Sequence, residues 1–485
     1  MLLPRPLERL SAKGATMKLT SALTLIAILV GLSSVPAHAK ELTLDDCIDL
    51  ALKNRASIIR ARGSESMASA EKRSALGAFL PRVYASYSYS KRKETEIRPL
   101  SWTDVAWTVD RLDTIIVVDT SGGPNQQAVL PHFLAVDSVL NPDEQEVGPN
   151  KSWSVGTDVS LFNLPNWFNL AAAGAGKARA ELDVLASEQD LIYSVKISYY
   201  AYLAFVQNLD VQLEAVRRAE EQLKLIESRY ELGSASRSDV LKQKVQFGND
   251  RLSLLRASNS VTSAKADLAY TIGLDPREKN DFSSHYEVRE YNGSLDDAVD
   301  FSMQSNPSLL AQQKTVDQTG HSVRAAMSSY LPTLSASAGW SKFNGTQAYP
   351  AAFEYSSQTT SWGFSVNFNI FDGFYREQRV TSAKVYRNNA RADLADLRNY
   401  TVSRVKTAHS DLGQLKEQKI VSQENVEAAE EDLRITQEKY NLGAAAILDL
   451  LDAQVSLKRA QVALIQVDID LNLAIAKLEN AMGKR

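Results

Sequence analysis

Residues 83 to 90 alternate strictly. Val83, Ala85, Tyr87 and Tyr89 share one side, and Tyr84, Ser86, Ser88 and Ser90 share the other. A period of two is that of a half-buried strand. Three more segments repeat it. Trp153, Val155, Thr157, Val159 and Leu161 oppose Ser154, Gly156, Asp158 and Ser160. Leu334, Ala336, Ala338 and Trp340 oppose Ser335, Ser337, Gly339 and Ser341, and Trp362, Phe364, Val366, Phe368 and Ile370 oppose Gly363, Ser365, Asn367 and Asn369. One face is apolar in each case, the other small and polar. A soluble sandwich would bury the apolar face. The small polar face suits a wet lumen instead, and segments of about ten residues with aromatics near their ends are the pattern of a transmembrane barrel.

Between these strands the period changes. No proline interrupts Pro165 to Tyr230, and Leu182, Leu185, Ile192, Val195, Tyr199, Tyr202, Val206, Leu209, Leu213, Val216, Leu223, Ile226 and Tyr230 step by threes, fours and sevens. This predicts a helix of about 66 residues, which at about 1.5 Å per residue is a rod roughly 100 Å long. A second such helix is predicted from about Phe374 to Tyr440, with shorter partners over 236–272 and 445–482. The alanines at 171–173, 175, 178 and 180 permit close helix contacts.

The chain also matches itself. Leu44-Asp45-Asp46 and Leu80-Pro81 recur as Leu295-Asp296-Asp297 and Leu331-Pro332, an offset of 251. Trp153 and Phe162 recur as Trp362 and Phe371 at an offset of 209, and Tyr230-Glu231-Leu232-Gly233 recurs as Tyr440-Asn441-Leu442-Gly443 at 210. Collinear matches of this kind mark an internal duplication. The drop in offset places one insertion in the first half, over 91–151, expected as an extended loop outside the cell. Four strands cannot close a barrel, and about eight is the smallest that does. Three chains supply twelve, so a homotrimer follows if transport is the task, its helices continuing the barrel as a hollow cylinder.

The chain's beginning, composition and charge narrow the setting. Lys18 precedes an apolar run from Leu19 to Leu32 that ends at Ala37-His38-Ala39, the pattern of a secretory signal. Cleavage is expected after Ala39, with Met17 as the initiator. No later apolar run reaches the eighteen residues of a membrane helix, so membrane entry must use strands. The net charge of −4 supplies no basic field, which argues against nucleic acid as a partner. The single Cys47 cannot form an internal disulfide and is read as a small core residue. The five histidines lack metal-ligand spacing, and neither a phosphate-cradling glycine loop nor a nucleophile elbow occurs. No enzyme activity, cofactor or metal is expected. A periplasmic adaptor or stalked adhesin would also carry long helices, but four aromatic-bearing strands split between two duplicated halves do not suit either.

The paired Leu-Pro entries, the Ile370-Phe371-Asp372-Gly373 exit and the two Tyr-x-Leu-Gly turns resemble the TolC-like outer-membrane efflux proteins, over roughly residues 41–484. The resemblance implies an α+β membrane protein: a trimeric, twelve-stranded outer-membrane β-barrel with four strands per chain, continued by a long α-helical periplasmic barrel. It implies an N-terminal helical segment (40–80), a first barrel hairpin (81–163) and a long helix pair (164–272). An equatorial linker (273–293), a second-half helical segment (294–331), a second hairpin (332–372) and a second helix pair (373–485) complete the chain. The expected role is that of a passive exit duct in a tripartite efflux pump or type I secretion system. The partners implied are outer-membrane lipid, a periplasmic adaptor and an inner-membrane pump of the resistance-nodulation-division or ABC type.

The resemblance further implies that the adaptor docks at the turns Tyr230, Leu232 and Gly233 and Tyr440, Leu442 and Gly443. Gly233 and Gly443 are suited to end a helix in a left-handed conformation. The periplasmic gate would lie just beyond, at Asp449 and Asp452 with Ser238 and Asp239 from the other half. Asp449 and Asp452 share a helix face, and a threefold axis would make six carboxylates around one mouth, a ring able to attract cations. The arginine that the family places five residues after the second turn tyrosine is Ala445 here, with Arg237 as a candidate replacement. A lumen of Ser, Gly and Asn expresses little chemical preference, so drugs, metal ions, siderophores and polypeptides all fit it.

Overall fold

A computed structural model describes residues 41–96, 107–117, 126–135, 143–278, 280–285, 287–347 and 353–484. The signal segment expected at 1–39 lies outside the described residues. The elements run α1 (Leu44–Asn54), α2 (Ala56–Gly77), β1 (Arg82–Glu96), β2 (Trp107–Val117), β3 (Gln126–Ala135), β4 (Asp143–Phe162), α3 (Leu164–Glu231) and α4 (Arg237–Ile272). The second half continues with α5 (Leu295–Ser305), α6 (Pro307–Ser328), β5 (Thr333–Gln347), β6 (Phe353–Asn367), α7 (Tyr375–Asn441) and α8 (Ile447–Met482). Equivalent elements match in length: 11 residues in α1 and α5, 22 in α2 and α6, and 36 in α4 and α8. The long helices have 68 and 67 residues. The duplication seen as scattered sequence matches therefore governs the whole backbone.

Local chemistry sets the helix ends. Thr43 and Ser294 each accept from the backbone N–H three residues on, that of Asp46 and Asp297, satisfying a donor that the first helical turn leaves free. α4 and α8 both stop at a left-handed glycine, Gly273 (φ 79°) and Gly483 (φ 76°), where a side chain would be strained.

The structure divides into two compact units. The helical unit holds described residues up to Lys72, Ala171–His321 and those from Ser382 onward. One of its cores gathers Cys47, Ala51, Ile58, Val195, Leu203, Leu268 and Ile272, so α1 packs against α3 and α4. The equivalent core packs Ala298 of α5 against Val405, Ala408 and Leu412 of α7 and Leu478 and Met482 of α8. Cys47 is the small core residue that the sequence indicates, and burial pushes its thiol up to about 12, which makes it unreactive. The described residues between α4 and α5 form no helix; Leu42 bridges to Phe282, and the Tyr202 hydroxyl donates to the Phe282 carbonyl at 3.2 Å. Glu479 of α8 is buried and meets Lys196 of α3 at 2.6 Å and Arg289 of the linker at 3.0 Å. Of the stripe read along α3, Val195, Tyr199, Tyr202 and Ile226 are buried, but Leu213 is 53% exposed while Ala215 and Ala219 are buried. A helix with neighbours on two sides needs two seams, and small residues supply the second.

The strand unit comprises the described parts of Arg73–Leu170 and Ser322–Thr381. Its main sheet is antiparallel in the order β1-β4-β5-β6, and among the described residues β1 and β6 are each paired on one side only. Register joins like with like. Val83, Thr157, Ala338 and Trp362 form one row and Ala85, Val155, Trp340 and Thr360 the next. Trp362, Phe364 and Val366 on this face are exposed. On the opposite face Ser86 meets Ser154 at 2.7 Å, Ser88 meets Ser152 at 2.9 Å, and Arg82 pairs with Asp158 at 2.8 Å. Tyr84 lies over Gly156, where a Cβ would stand 2.6 Å from the ring, so a side chain there would displace the ring.

Three details differ from the sequence expectation. A register shift between Ser160 and Phe162 sets Phe162, rather than Leu161, opposite Leu334; a bulge exchanges faces. β6 ends at Asn367, so Phe368 and Ile370 lie beyond it. Much of the 91–151 insertion is strand, not loop. β1 runs on to Glu96 beside β4 from Asp143, and β2 pairs with β3 in a separate sheet. The stretch Lys91-Arg92-Lys93-Glu94-Thr95-Glu96 holds no apolar residue, so its sequence offers no alternation to detect.

Candidate functional site

The two Tyr-x-Leu-Gly turns have one backbone design. The Ser234 N–H donates to the Arg229 carbonyl and the Ala444 N–H to the Lys439 carbonyl, each at 2.8 Å. Gly233 (φ 75°) and Gly443 (φ 78°) supply the left-handed residue that this closure needs. The chain then reverses into α4 and α8. Leu232 and Leu442 stand out at the tips, 83% and 84% exposed, while Ile226, Ile447, Leu450 and Leu451 form a small core beneath them with Tyr440.

The turns meet each other. The Arg229 guanidinium lies 5.4 Å from the centre of the Tyr440 ring and donates to Asn441 Oδ1 at 3.1 Å. Gln222 donates to Gln437 at 2.7 Å. Burial raises the Tyr440 hydroxyl pKa against the lowering effect of Arg229. Sequence reasoning missed Arg229, Gln222, Gln437 and Asn441. The signal was present, because residues linked here are 212 and 215 apart, close to the duplication offset, and pseudosymmetric halves meet at equivalent positions.

The four gate candidates separate into two kinds. Asp239 is an N-terminal box residue of α4: it accepts from Ser236 N at 3.2 Å and Ser236 Oγ at 2.7 Å. Asp449 holds the equivalent place in α8 and accepts from Ala446 N at 2.9 Å, but Ala446 has no hydroxyl to return the bond. Asp452 and Ser238 are exposed. Asp449 and Asp452 therefore both reach solvent on α8, with Asp449 also serving the helix start. Arg237 is exposed; within the protomer the arginine that bridges the turns is Arg229. Among the described residues no cluster of three metal-ligating side chains occurs.

Residues 47–274 and 299–484 match the family described as outer membrane efflux protein. The chain belongs to this family. Its members are outer-membrane channels, not enzymes, and the helical unit is the periplasmic part. The chain is 23% identical over 387 residues to the outer membrane protein TolC of Vibrio cholerae, covering 74% of this chain and 83% of that one. It is 23% identical over 316 residues to the outer membrane efflux protein BepC of Brucella suis, covering 65% and 68%. The crystal structure of the Campylobacter jejuni CmeC outer membrane channel has the same fold, with a TM-score of 0.68 over 91% of this chain and 85% of that one at 16% identity. The fold class read from the strands and helices is that of these channels, four strands per chain with a long helical part. The chain is an outer-membrane efflux or secretion channel.

Proposed function

We propose that three copies of the chain close one twelve-stranded barrel and act as the passive exit duct of a tripartite efflux pump or type I secretion system. One observation carries this reading: a four-stranded sheet with an exposed apolar face, a polar face and two bare edges. Unpaired backbone groups are intolerable in hydrocarbon, so the edges must find partners. Four antiparallel strands leave β1 and β6 pointing oppositely, and a copy can add edge to edge without breaking the alternation. The serine-rich face then lines the lumen, and outer-membrane lipid covers the other. In this reading the adaptor docks at the exposed Leu232 and Leu442 tips, joined by an inner-membrane transporter, and Asp449, Asp452, Ser238 and Asp239 rim the periplasmic gate.

Cysteine pairs scanned across β1 and β6 test the closure. Oxidation should give linked chains up to three and no longer, from protein that forms channels in planar bilayers. A ladder beyond three, or a monomer without conductance, refutes the reading.

A further inference from the structure

The apolar alternate positions of β6 lead directly into an unusual turn. Gly373 (φ 68°) and Phe374 (φ 66°) are both left-handed, and Phe374 is the one non-glycine residue with positive φ among the described residues. A bulky side chain is disfavoured there. The turn nevertheless presents Ile370 at 85%, Phe371 at 72% and Phe374 at 67% exposure, with the two phenylalanine rings edge to face at 5.4 Å. Something must hold this shape against both strain and water.

Arg376 does so. It is almost fully buried, its Nε donates to Asp372 Oδ2 at 2.9 Å, and its Nη2 donates to the Ile370 carbonyl at 3.2 Å. Its guanidinium lies 4.7 Å from the centre of the Tyr330 ring. The duplication supplies the control. The offsets of 251 and 209 that relate Leu80 to Leu331 and Phe162 to Phe371 also relate Phe79 to Tyr330 and Trp167 to Arg376. In the first half these positions form an edge-to-face aromatic pair, Phe79 against Trp167 at 4.9 Å. Packing alone is thus satisfied by tryptophan. Arginine keeps a contact with the ring and adds two bonds, both to the turn that projects the apolar side chains.

We infer that the turn after β6 is a membrane anchor, in which Ile370, Phe371 and Phe374 enter the headgroup–acyl boundary of the inner-leaflet phospholipid and Arg376 is the positioning residue that holds them there. The inference rests on the reading of the sheet's apolar face as lipid-facing. The sequence of chemistries fits a bilayer boundary. Trp362, Phe364 and Val366 come first, then the apolar turn, then Tyr375 with the Arg379 guanidinium 5.8 Å from its ring centre, a cation placed to meet phosphate. Arg376 and Asp372 neutralise each other inside, so the charge left exposed beyond the apolar turn is that of Glu377, beside Tyr330, and Arg379.

Spin labels on single cysteines in the mature protein, reconstituted in phospholipid vesicles, test this by collision with oxygen and with a water-soluble nickel chelate. Phe364→Cys reports the sheet face, Leu442→Cys an aqueous tip, and Phe374→Cys the turn; Cys47 is fully buried and stays unlabelled. The label at 374 should favour oxygen, as at 364. Nickel access like that at 442 overturns the anchor, and so does exclusion of both reagents, which would mean cover by a second copy. Nickel access at 364 refutes the lipid-facing sheet instead. Arg376→Gln should shift the label at 374 toward nickel and leave 364 unchanged. Arg376→Trp, which copies the first half, should shift it equally; retained depth in either variant removes the positioning role. If Arg376→Gln fails to assemble, Arg376→Trp decides.

Discussion

Replacing Ser236 with alanine would give the first helix turn the cap that the second already has. In the native turn the Asp239 N–H donates to Ser236 Oγ at 3.1 Å while Asp239 accepts from Ser236 N and Oγ. At α8 only the reciprocal half survives, the Ala446 N–H donating to Asp449. Loss of a serine cap costs about 1 kcal/mol, and at this solvent-exposed start no packing is lost with it. An energy of about 1 kcal/mol is roughly a fivefold change in a local opening equilibrium. Amide hydrogen exchange reads such openings residue by residue. Ser236→Ala should speed exchange through residues 237–240 about fivefold. Ala446→Ser should slow it through 447–450 by a similar factor, because the acceptor it adds faces a free N–H. Unchanged exchange in Ser236→Ala, or no added protection in Ala446→Ser, would refute the claim that the two turns differ through their caps.

Two further expectations follow from charge. Asp449→Asn with Asp452→Asn keeps an acceptor for the Ala446 N–H while removing the negative ring, so planar-bilayer recordings should show raised conductance and weaker divalent-cation block; native behaviour would remove the gate assignment. Glu479→Ala leaves Lys196, nearly buried itself, without its partner, at a cost of about 3–5 kcal/mol, whereas Glu479→Gln retains an acceptor. Thermal dissociation of the assembly should fall much further for alanine than for glutamine, and equal small shifts would contradict a buried ionic clamp.

The sequence made the duplication, the strand alternation and the ends of the long helices legible, because each rests on a period or on a turn residue that no tertiary context overrides. The sequence pattern starts α3 at Pro165, one residue after the helix begins at Leu164, and ends α4 at 272, its last helical residue. What escaped notice lacked a period. The extension of β1 to Glu96 has no apolar residue from 91 to 96, and the bulge near Leu161 shifts a register without changing composition. Leu213 looked like core because a heptad names a face but not which of two neighbours covers it. The contact of Arg229 with Tyr440 joins residues far apart in sequence, and only the duplication offset connects them. The sequence marks Asp449 by its charge and Asp239 only through the family resemblance, while geometry shows that both also begin helices.

The two bare edges of the sheet carry a consequence for biogenesis. A lone chain offers oil-loving rings on one side and thirsty peptide groups at either rim, so it can settle neither in water nor in a bilayer. In the proposed trimer joining and insertion would then be one event, and a single misshapen copy would leave the whole ring gaping, spoiling two sound companions along with itself.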